Sequence, residues 1–323
     1  MSIKVIKSGM YTMIQDLGRQ GWQRFGIPVG GAMDEMAAKL VNIVLGNDEN
    51  EAVIEMTLIG PTLQFKENAI IAIFGANMSP KLNGKTVKHG KPVQVRNGDF
   101  LKFGAAKPGV RCYLSVKGGF KIDKVLQSHS TFVPAGIGGL NGQVLKSGDL
   151  LPLNKPLVHK EVNWGLSHTF ENYFQTNGPI RFIKGRQNDW FTNKSKQQFV
   201  ESSYTISSDS NRMGFRLNGG PAIDLIEKKE LTTEGTAFGS IQIPPNGQPI
   251  ILMADRQPTG GYPKIGEVIR CDLPRLSQMR PGDKLRFEEV TLEEAQRLLI
   301  DEHRELAALK LAFQLKWRDD ANV

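Results

Sequence analysis

Four short sequence patterns occur twice in this chain, each time in the same order, and this repetition limits the folds that the chain can adopt. Each second copy follows its first copy by 175 to 193 residues. One such match arises easily by chance, but four matches in one order indicate a duplicated domain. The patterns are IKVIK at 3–7 and IRFIK at 180–184, Asp-x-x-Arg-x-Gly from Asp16 and Asp209, Glu-x-Thr-x-x-Gly from Glu55 and Glu230, and Gly-Asp-x-Leu-x-Phe from Gly98 and Gly282.

The length and composition fit a globular protein of two domains. A chain of 323 residues is long for one domain, and 40% hydrophobic with 23% charged residues is neither a disordered nor a membrane composition. No apolar stretch approaches the roughly 18 residues that span a bilayer, and the N-terminus has no signal-peptide pattern. We therefore expect a cytoplasmic protein that does not enter a membrane.

The net charge of +8 raises the question of nucleic-acid binding. The basic residues are distributed singly along the chain, and no predicted helix concentrates them beside stacking aromatic residues. We therefore expect no nucleic-acid partner, because an anionic small molecule or an acidic protein partner explains the charge at least as well. The two cysteines, Cys112 and Cys271, form no CxxC pattern and are expected to be buried structural thiols.

Strands dominate the predicted secondary structure. Residues 69–74 and 249–253 are short continuous apolar runs that are typical of buried strands. Turn signals such as Asn-Gly and Pro-Gly recur between short runs, which indicates an all-β sandwich or barrel. The clearest internal helix begins after Asp34 as N-cap and ends at Gly46, and a second helix follows a capping box at Thr291.

These elements predict a division of the chain into four parts. The first domain covers residues 1–155, a linker covers 156–177, the second domain covers 178–290, and a C-terminal helix covers 291–323. The apolar positions of the terminal helix recur at helical spacing. We expect that helix to pack across a barrel or against a second copy of the chain, which leaves a homo-oligomer open.

The first segment with possible chemistry lies near the N-terminus. Gln15, Asp16 and Arg19 stand between glycines that allow a ligand to approach the backbone. Gly30 and Gly31 then precede the helix that begins after Asp34, where backbone N–H groups favour an anion. The alternative is that Asp16 and Arg19 form a structural ion pair that holds a glycine turn.

The second segment, at 255–263, follows the buried strand at 249–253. It contains an acid, a base, an amide, a hydroxyl, two glycines and a phenol, which favours a binding loop over a simple turn. The alternative is a wide β-hairpin with solvated side chains. Because this segment has no counterpart in the first half, we expect the chemistry to lie nearer the second domain. Its candidate residues are Asp255, Gln257, Thr259, Gly260, Gly261 and Tyr262, and the repeated pattern nearby adds Arg212 and Arg216.

Other common chemistries lack their sequence patterns. The five histidines are scattered without ligand spacing, so we expect no metal site. The chain has no GxxxxGK[ST], GxGxxG or Gly-x-Ser-x-Gly pattern, which argues against a P-loop ATPase, a Rossmann enzyme and an α/β-hydrolase. The Ser-His-Ser-Thr run at 128–131 is interpreted as a structural loop, because sequence neighbours rarely point at one another.

The chain resembles a known family at several of these segments. The family is the KipA-like family, also known as the allophanate hydrolase subunit 2-like family, the biotin-dependent carboxyltransferase-like family or the 5-oxoprolinase C subunits, and the resemblance spans about 1–290. It rests on IQDLGRxG at 14–21, GGAMD at 30–34, SNRMGxRL at 210–217, GxIQxP at 239–244 and DRQxTGGYP at 255–263.

This resemblance implies a mainly β fold with two duplicated cyclophilin-like β-barrel domains, a few short helices and a C-terminal helix. It further implies one component of the bacterial ATP-dependent 5-oxoprolinase, which hydrolyses 5-oxo-L-proline to L-glutamate. The partners would be a KipI-like protein (the B subunit) and a LamB/YcsF-like protein (the A subunit), with ATP and magnesium required by the complex. One alternative is a carboxyltransferase that acts on urea or a related amide with biotin. The other is a regulatory KipI antagonist without catalysis.

Under the 5-oxoprolinase hypothesis, the candidate residues take the following roles. Arg19, Arg212 and Arg216 would hold the substrate carboxylate or a transferred phosphoryl group. Asp16, Asp34 or Asp255 would move protons, and residues 259–262 would supply backbone N–H groups and the Tyr262 phenol. The remaining binding candidates are Gln15, Gly30, Gly31 and Gln257. Replacing Arg212 or Asp255 is expected to abolish lactam opening and to leave the fold intact.

Overall fold

Two compact units make up the chain in a computed structural model, which describes residues 2–154, 162–167, 170, 173–174, 178–227 and 229–319. The first unit consists of Met1–Arg19, Gly30–Gln175 and Arg304–Val323, and the second consists of Gln20–Val29 and Thr176–His303. The predicted linker at 156–177 lies largely outside the described residues. In the described part, no helix has both the length and the apolarity that crossing a membrane requires.

The first unit contains two antiparallel sheets. One has the strand order β11-β1-β4-β9-β6-β7 and the other has the order β2-β3-β10-β5-β8. The strands are β1 (Ser2–Lys7), β2 (Tyr11–Gln15), β3 (Val53–Thr57), β4 (Thr62–Phe65), β5 (Ala69–Gly75), β6 (Lys81–Leu82), β7 (Lys85–Thr86), β8 (Val93–Val95), β9 (Phe100–Lys102), β10 (Arg111–Val116) and β11 (Leu150–Pro152).

Strand β5 shows how burial on both faces produces a continuous apolar run. All seven of its residues are buried. Ile71 and Ile73 belong to the core that also contains the inward residues of β1 and β4. Ile70 and Phe74 instead pack with the helix α1 (Glu35–Val44). A strand covered on both faces loses the alternating pattern, which is the physical reason for the uninterrupted run at 69–74.

Helix α1 begins and ends where the sequence indicates. The Asp34 carboxylate accepts a hydrogen bond from the Ala37 N–H at 3.0 Å, which confirms the predicted N-cap. At the other end, Trp317 Nε1 donates to the Val44 carbonyl at 3.1 Å and Lys117 Nζ donates to the Leu45 carbonyl at 2.7 Å. These bonds satisfy carbonyls that a helix end leaves unpaired, and Trp317 comes from α4 (Leu292–Asp319).

The second unit contains one eight-stranded sheet with the order β20-β13-β14-β17-β16-β19-β12-β21. The strands at its two ends, β20 and β21, are separated only by Arg286 in the sequence, so the sheet curls into a nearly closed barrel. The elements are β12 (Ile180–Lys184), α2 (Asn193–Glu201), β13 (Tyr204–Ile206), β14 (Gly214–Asn218), β15 (Glu234–Gly235), β16 (Ser240–Gln242), β17 (Ile250–Leu252), β18 (Thr259–Gly260), β19 (Lys264–Val268), α3 (Leu273–Ser277), β20 (Lys284–Leu285) and β21 (Phe287–Glu289).

A mainly β fold with few helices and a C-terminal helix is therefore confirmed. The core of the second unit is aromatic, with the Phe199 and Phe287 rings stacked at 4.4 Å between centroids and with Phe182 and Tyr204 packed around them. Strands β15 and β18 pair only with each other and form a separate two-stranded ribbon.

The repeated Gly-Asp pattern is a tight turn that precedes a strand. The Asp99 carboxylate accepts from the Arg96 N–H at 2.7 Å, and the Asp283 carboxylate accepts from the Arg280 N–H at 2.8 Å. A third copy has the same bond, from the Lys146 N–H to the Asp149 carboxylate at 2.7 Å. The glycines of the three turns share a left-handed backbone, with φ of +92° at Gly98, +98° at Gly148 and +92° at Gly282.

We expect the Gly282→Ala substitution to lower the free energy of unfolding by about 1 kcal/mol, because a residue with a Cβ resists the left-handed conformation. No atom lies within 4 Å of a Cβ built at Gly282, so crowding does not contribute. Gly235 has equally open surroundings without a positive φ, and Gly235→Ala should cause no comparable loss. Urea denaturation of both variants provides the measurement, and equal destabilisation would contradict this account of the turn.

Candidate functional site

A small polar pocket opens in the second unit beside the strands β14, β16 and β17 and the ribbon of β15 and β18. Its volume is about 200 Å³. Met213, Ile250 and Leu252 supply the apolar part of its lining. The polar part consists of Asn211, Arg216, Thr236, Gln242, Gln257, Thr259 and Tyr262, with Gly260 among them. We call this cavity the polar pocket.

The polar pocket brings together five of the residues that the sequence identified. These are Arg216, Gln257, Thr259, Gly260 and Tyr262. On β14, Phe215 and Leu217 are buried while Arg216 is exposed between them, as strand alternation requires. Arg216 is the one guanidinium or ammonium group in the lining, so the pocket favours an anionic ligand.

Backbone and side-chain hydrogen bonds hold the wall formed by residues 257–262. Thr236 Oγ1 donates to the Gln257 carbonyl at 2.5 Å, and the Thr236 N–H donates to the Pro258 carbonyl at 3.0 Å. Gln242 Nε2 reaches the Tyr262 carbonyl at 3.5 Å. A Cβ at Gly260 would lie 2.6 Å from the same Gln242 nitrogen, so glycine permits the wall to approach β16 this closely.

A charged pair between the buried Lys264 and the partly exposed Glu234 anchors the ribbon that carries this wall. Lys264, which is 3% exposed, binds the Glu234 carboxylate through Nζ, and Gln187 Nε2 donates to the same oxygen at 2.9 Å. The hydrogen bond from Lys264 lowers the pKa of Glu234, which keeps the pair ionised. Glu234 lies opposite Gly260 in the ribbon. Sequence analysis missed these three residues, because no local sequence pattern joins positions this far apart.

Arg212 and Asp255, both predicted to be catalytic, form a buried ion pair with each other. Arg212 Nε donates to Asp255 Oδ2 at 2.8 Å, and Nη2 donates to Oδ1 at 3.0 Å. The side chains are 7% and 6% exposed. The Asp255 N–H also donates to the Arg212 carbonyl at 2.8 Å. The pair therefore joins the start of β14 to the end of β17, next to the polar pocket, and neither residue lines the pocket.

The candidates of the first unit form a separate hydrogen-bonded cluster. Asp16 Oδ1 accepts from the Gly18 N–H and from the hydroxyls of Ser128 and Ser130, and Oδ2 accepts from the His129 N–H, all at 2.5 to 2.8 Å. In addition, Arg19 donates to the Ser130 carbonyl, and Gln15 Nε2 donates to the Thr131 carbonyl at 3.0 Å. The carboxylate of Asp16 thus organises the 128–131 loop, in agreement with the structural interpretation of that loop.

Asp34 also carries structural hydrogen bonds in the first unit. Besides capping α1, its carboxylate accepts from the Tyr173 hydroxyl, and its N–H donates to Tyr113 Oη at 2.9 Å. Burial, reinforced by the neighbouring Glu55 carboxylate, raises the pKa of Tyr113. Gly30 and Gly31 have left-handed backbones, and a Cβ at Gly31 would lie 2.9 Å from the Gly18 nitrogen. These glycines let the chain pass close to the turn after β2.

Gly261 lies outside the polar pocket and lines a neighbouring cavity instead. Cys112 is buried as predicted, and burial raises the pKa of its thiol. Cys271 is only partly buried, contrary to the prediction, and the burial of its thiol raises the pKa to about 12. Within the described ranges, no three histidine, cysteine or carboxylate residues are grouped as a metal site would require.

Comparison with known proteins gives consistent results. Residues 25–289 match the family model described as carboxyltransferase domain, subdomain A and B. The 5-oxoprolinase C subunit of Haemophilus influenzae is 42% identical over 286 residues, and the alignment covers 88% of this chain and 90% of that relative. The 5-oxoprolinase C subunit of Escherichia coli is 36% identical over 323 residues, and the alignment covers 98% of this chain and 98% of that relative. The crystal structure of the K. lactis urea amidolyase superposes with a TM-score of 0.86 at 28% identity. That match covers 95% of this chain but 20% of the amidolyase.

The burial of Arg212 and Asp255 changes what their replacement should do. Asp255→Asn removes the carboxylate charge that faces the buried Arg212 guanidinium, so we expect the free energy of unfolding to fall by about 3 kcal/mol. Asp209→Asn is the matched control, because Asp209 begins the same repeated pattern as Asp16 but is exposed, and it should change stability by less than about 0.5 kcal/mol. Thermal and urea denaturation give both values, and similar effects of the two substitutions would refute the importance of the buried pair.

Proposed function

Because the chain belongs to the carboxyltransferase domain family, we propose that it is the C subunit of an ATP-dependent 5-oxoprolinase. This complex opens the lactam of 5-oxo-L-proline and releases L-glutamate. The two bacterial relatives that align over nearly their whole length are both named as this subunit. We further propose that the chain acts in the cytoplasm with KipI-like and LamB/YcsF-like partner proteins, the B and A subunits, and that it is active only in the complex.

The polar pocket is the observation that supports this function. 5-Oxoproline has one carboxylate, one lactam and a short run of ring methylenes. Arg216 offers a cation for the carboxylate, and the amides and hydroxyls of Gln242, Gln257 and Thr259 offer partners for the lactam. Met213, Ile250 and Leu252 provide apolar contacts for the ring. A volume of about 200 Å³ suits a ligand of this size.

In our proposal the ATP requirement belongs to the complex, and the polar pocket does not bind the nucleotide. Nucleotide-sized ligands occupy pockets of roughly 300 to 1,000 Å³, which is larger than the polar pocket. Phosphates and magnesium also need a glycine-rich phosphate loop or grouped carboxylates, and the described residues offer neither beside this pocket. The residues of the polar pocket therefore do not fit ATP with magnesium, and in our proposal they bind and orient the lactam.

A second candidate function comes from the family model and the urea amidolyase structure. A carboxyltransferase would move a carboxyl group from biotin on a separate carrier protein to urea or a related amide. Urea is uncharged, so it would leave the Arg216 guanidinium of the polar pocket without an anionic partner. The pocket therefore favours 5-oxoproline over urea. A regulator without catalysis would bind the KipI-like protein and give no turnover with either substrate.

Reconstitution of the three-protein complex tests the proposal, with 5-oxoproline-dependent ATP hydrolysis as the readout. Arg216→Gln removes a charge-assisted hydrogen bond worth roughly 1.5–3 kcal/mol, so we expect KM for 5-oxoproline to rise about 10- to 100-fold. Lys194→Gln removes an exposed positive charge of α2 in the same unit and should leave KM unchanged.

The same assay separates the alternatives. Turnover of urea with a biotinylated carrier, but not of 5-oxoproline, would support the carboxyltransferase. Binding of the KipI-like protein without turnover of either substrate would support the regulator. An equal KM for wild type and Arg216→Gln would remove Arg216 from the binding site.

A further inference from the structure

A second and larger cavity lies beside the polar pocket in the same unit. Its volume is about 740 Å³, against about 200 Å³ for the pocket. Ile223 and Ile243, each 3% exposed, form an apolar wall of this cavity together with Leu231 and Pro263. The rest of the lining includes the charged residues Asp224, Lys229 and Glu230. We call this cavity the apolar groove. Its size lies within the range of small-molecule sites, whereas that of the pocket lies below it.

One short stretch of chain separates the two cavities. Gly260 lines the polar pocket, Gly261 lines the apolar groove, and Tyr262 lines both. Because two of these three residues have no side chain, Tyr262, which is 44% exposed, carries the only side chain of residues 260–262 at the boundary of the two cavities. The hydrogen bond from Gln242 to the Tyr262 carbonyl fixes this stretch against β16.

The strand register places Arg216 and Gln242 at opposite ends of one row of residues in the polar pocket. Arg216 pairs with Ile250, and Ile250 pairs with Gln242, so these three residues form a row across β14, β17 and β16. Residues paired directly across a sheet point to the same face, and each strand step adds roughly 4.8 Å. Gln242 contacts the Tyr262 backbone and therefore marks the far end of the row. A ligand whose carboxylate binds Arg216 and that lies along this row would have its lactam ring beside Gln242 and the Tyr262 backbone.

We propose that Tyr262 determines substrate specificity by closing the ring end of the polar pocket. The proposal rests on the function given above, since it assumes a 5-oxoproline carboxylate at Arg216. With the phenol in place, the pocket accepts the unsubstituted ring and rejects lactam acids with a large apolar group on the ring. Without it, such a group enters the apolar groove and packs against Ile223, Ile243 and Pro263. This role requires the bulk of the ring and not the hydroxyl.

The test compares 5-oxoproline with 4-benzyl-5-oxoproline, which keeps the carboxylate and the lactam. In the reconstituted complex, Tyr262→Ala should raise the ratio of kcat/KM for the benzyl compound to that for 5-oxoproline by at least about tenfold. Tyr262→Phe keeps the bulk and should retain the wild-type ratio. An alanine variant with an unchanged ratio, or a phenylalanine variant that behaves like alanine, would overturn the proposal.

Calorimetric titration of the isolated full-length chain with both compounds provides a measurement that does not depend on turnover. Tyr262→Ala should bind the benzyl compound at least about tenfold more tightly than wild type does, with circular dichroism confirming its fold. If the wild-type complex fails to turn over 5-oxoproline while the titration shows this gain, the proposed function fails and the role of Tyr262 stands. If turnover occurs and neither assay shows the gain, the role of Tyr262 fails alone. If neither compound binds to any variant of the isolated chain and no complex turns over either compound, both proposals fail.

Discussion

The buried ion pair between Arg212 and Asp255 fixes the two chain segments from which the polar pocket is built. Arg212 immediately precedes Met213 of the pocket lining, and Asp255 begins the segment that continues to Gln257. Two charges removed from water are stable only with close geometry, and the bidentate contact at 2.8 and 3.0 Å provides it. The placement of Arg216 and of the 257–262 wall depends on this contact.

A second charged pair, between Lys264 and Glu234, holds the ribbon of β15 and β18 beside the pocket. The Lys264 ammonium is nearly fully buried, and its partner Glu234 lies opposite Gly260. Burial costs the Lys264 ammonium its hydration, and the partly exposed Glu234 carboxylate compensates for this cost. These two charged pairs therefore position the pocket without lining it, and the exposed residues of the lining, Arg216 among them, remain available to bind a ligand.

Much of the fold could be predicted from the sequence, because the signals are local. The apolar run of β5, the Asp34 cap and the Gly-Asp turns each depend on a few neighbouring residues.

The site was predictable only in part. Residues 255–263 have a composition unusual for a turn, and five predicted residues line one pocket. The ion pair of Arg212 and Asp255 joins residues 43 positions apart, and the ion pair of Glu234 and Lys264 joins residues 30 positions apart. Neither pair therefore produces a local pattern in the sequence.

The duplication explains the scaffold better than it explains the chemistry. The two halves share the Gly-Asp turn, but Asp16 is buried with four hydrogen-bond donors while its counterpart Asp209 is exposed.

A crystal structure of the reconstituted complex with 5-oxoproline would test the central claim most directly. We expect the carboxylate within hydrogen-bonding distance of the Arg216 guanidinium and the lactam ring directed towards Gln242 and Tyr262. Binding of 5-oxoproline away from the polar pocket, or in the reverse orientation within it, would contradict this account.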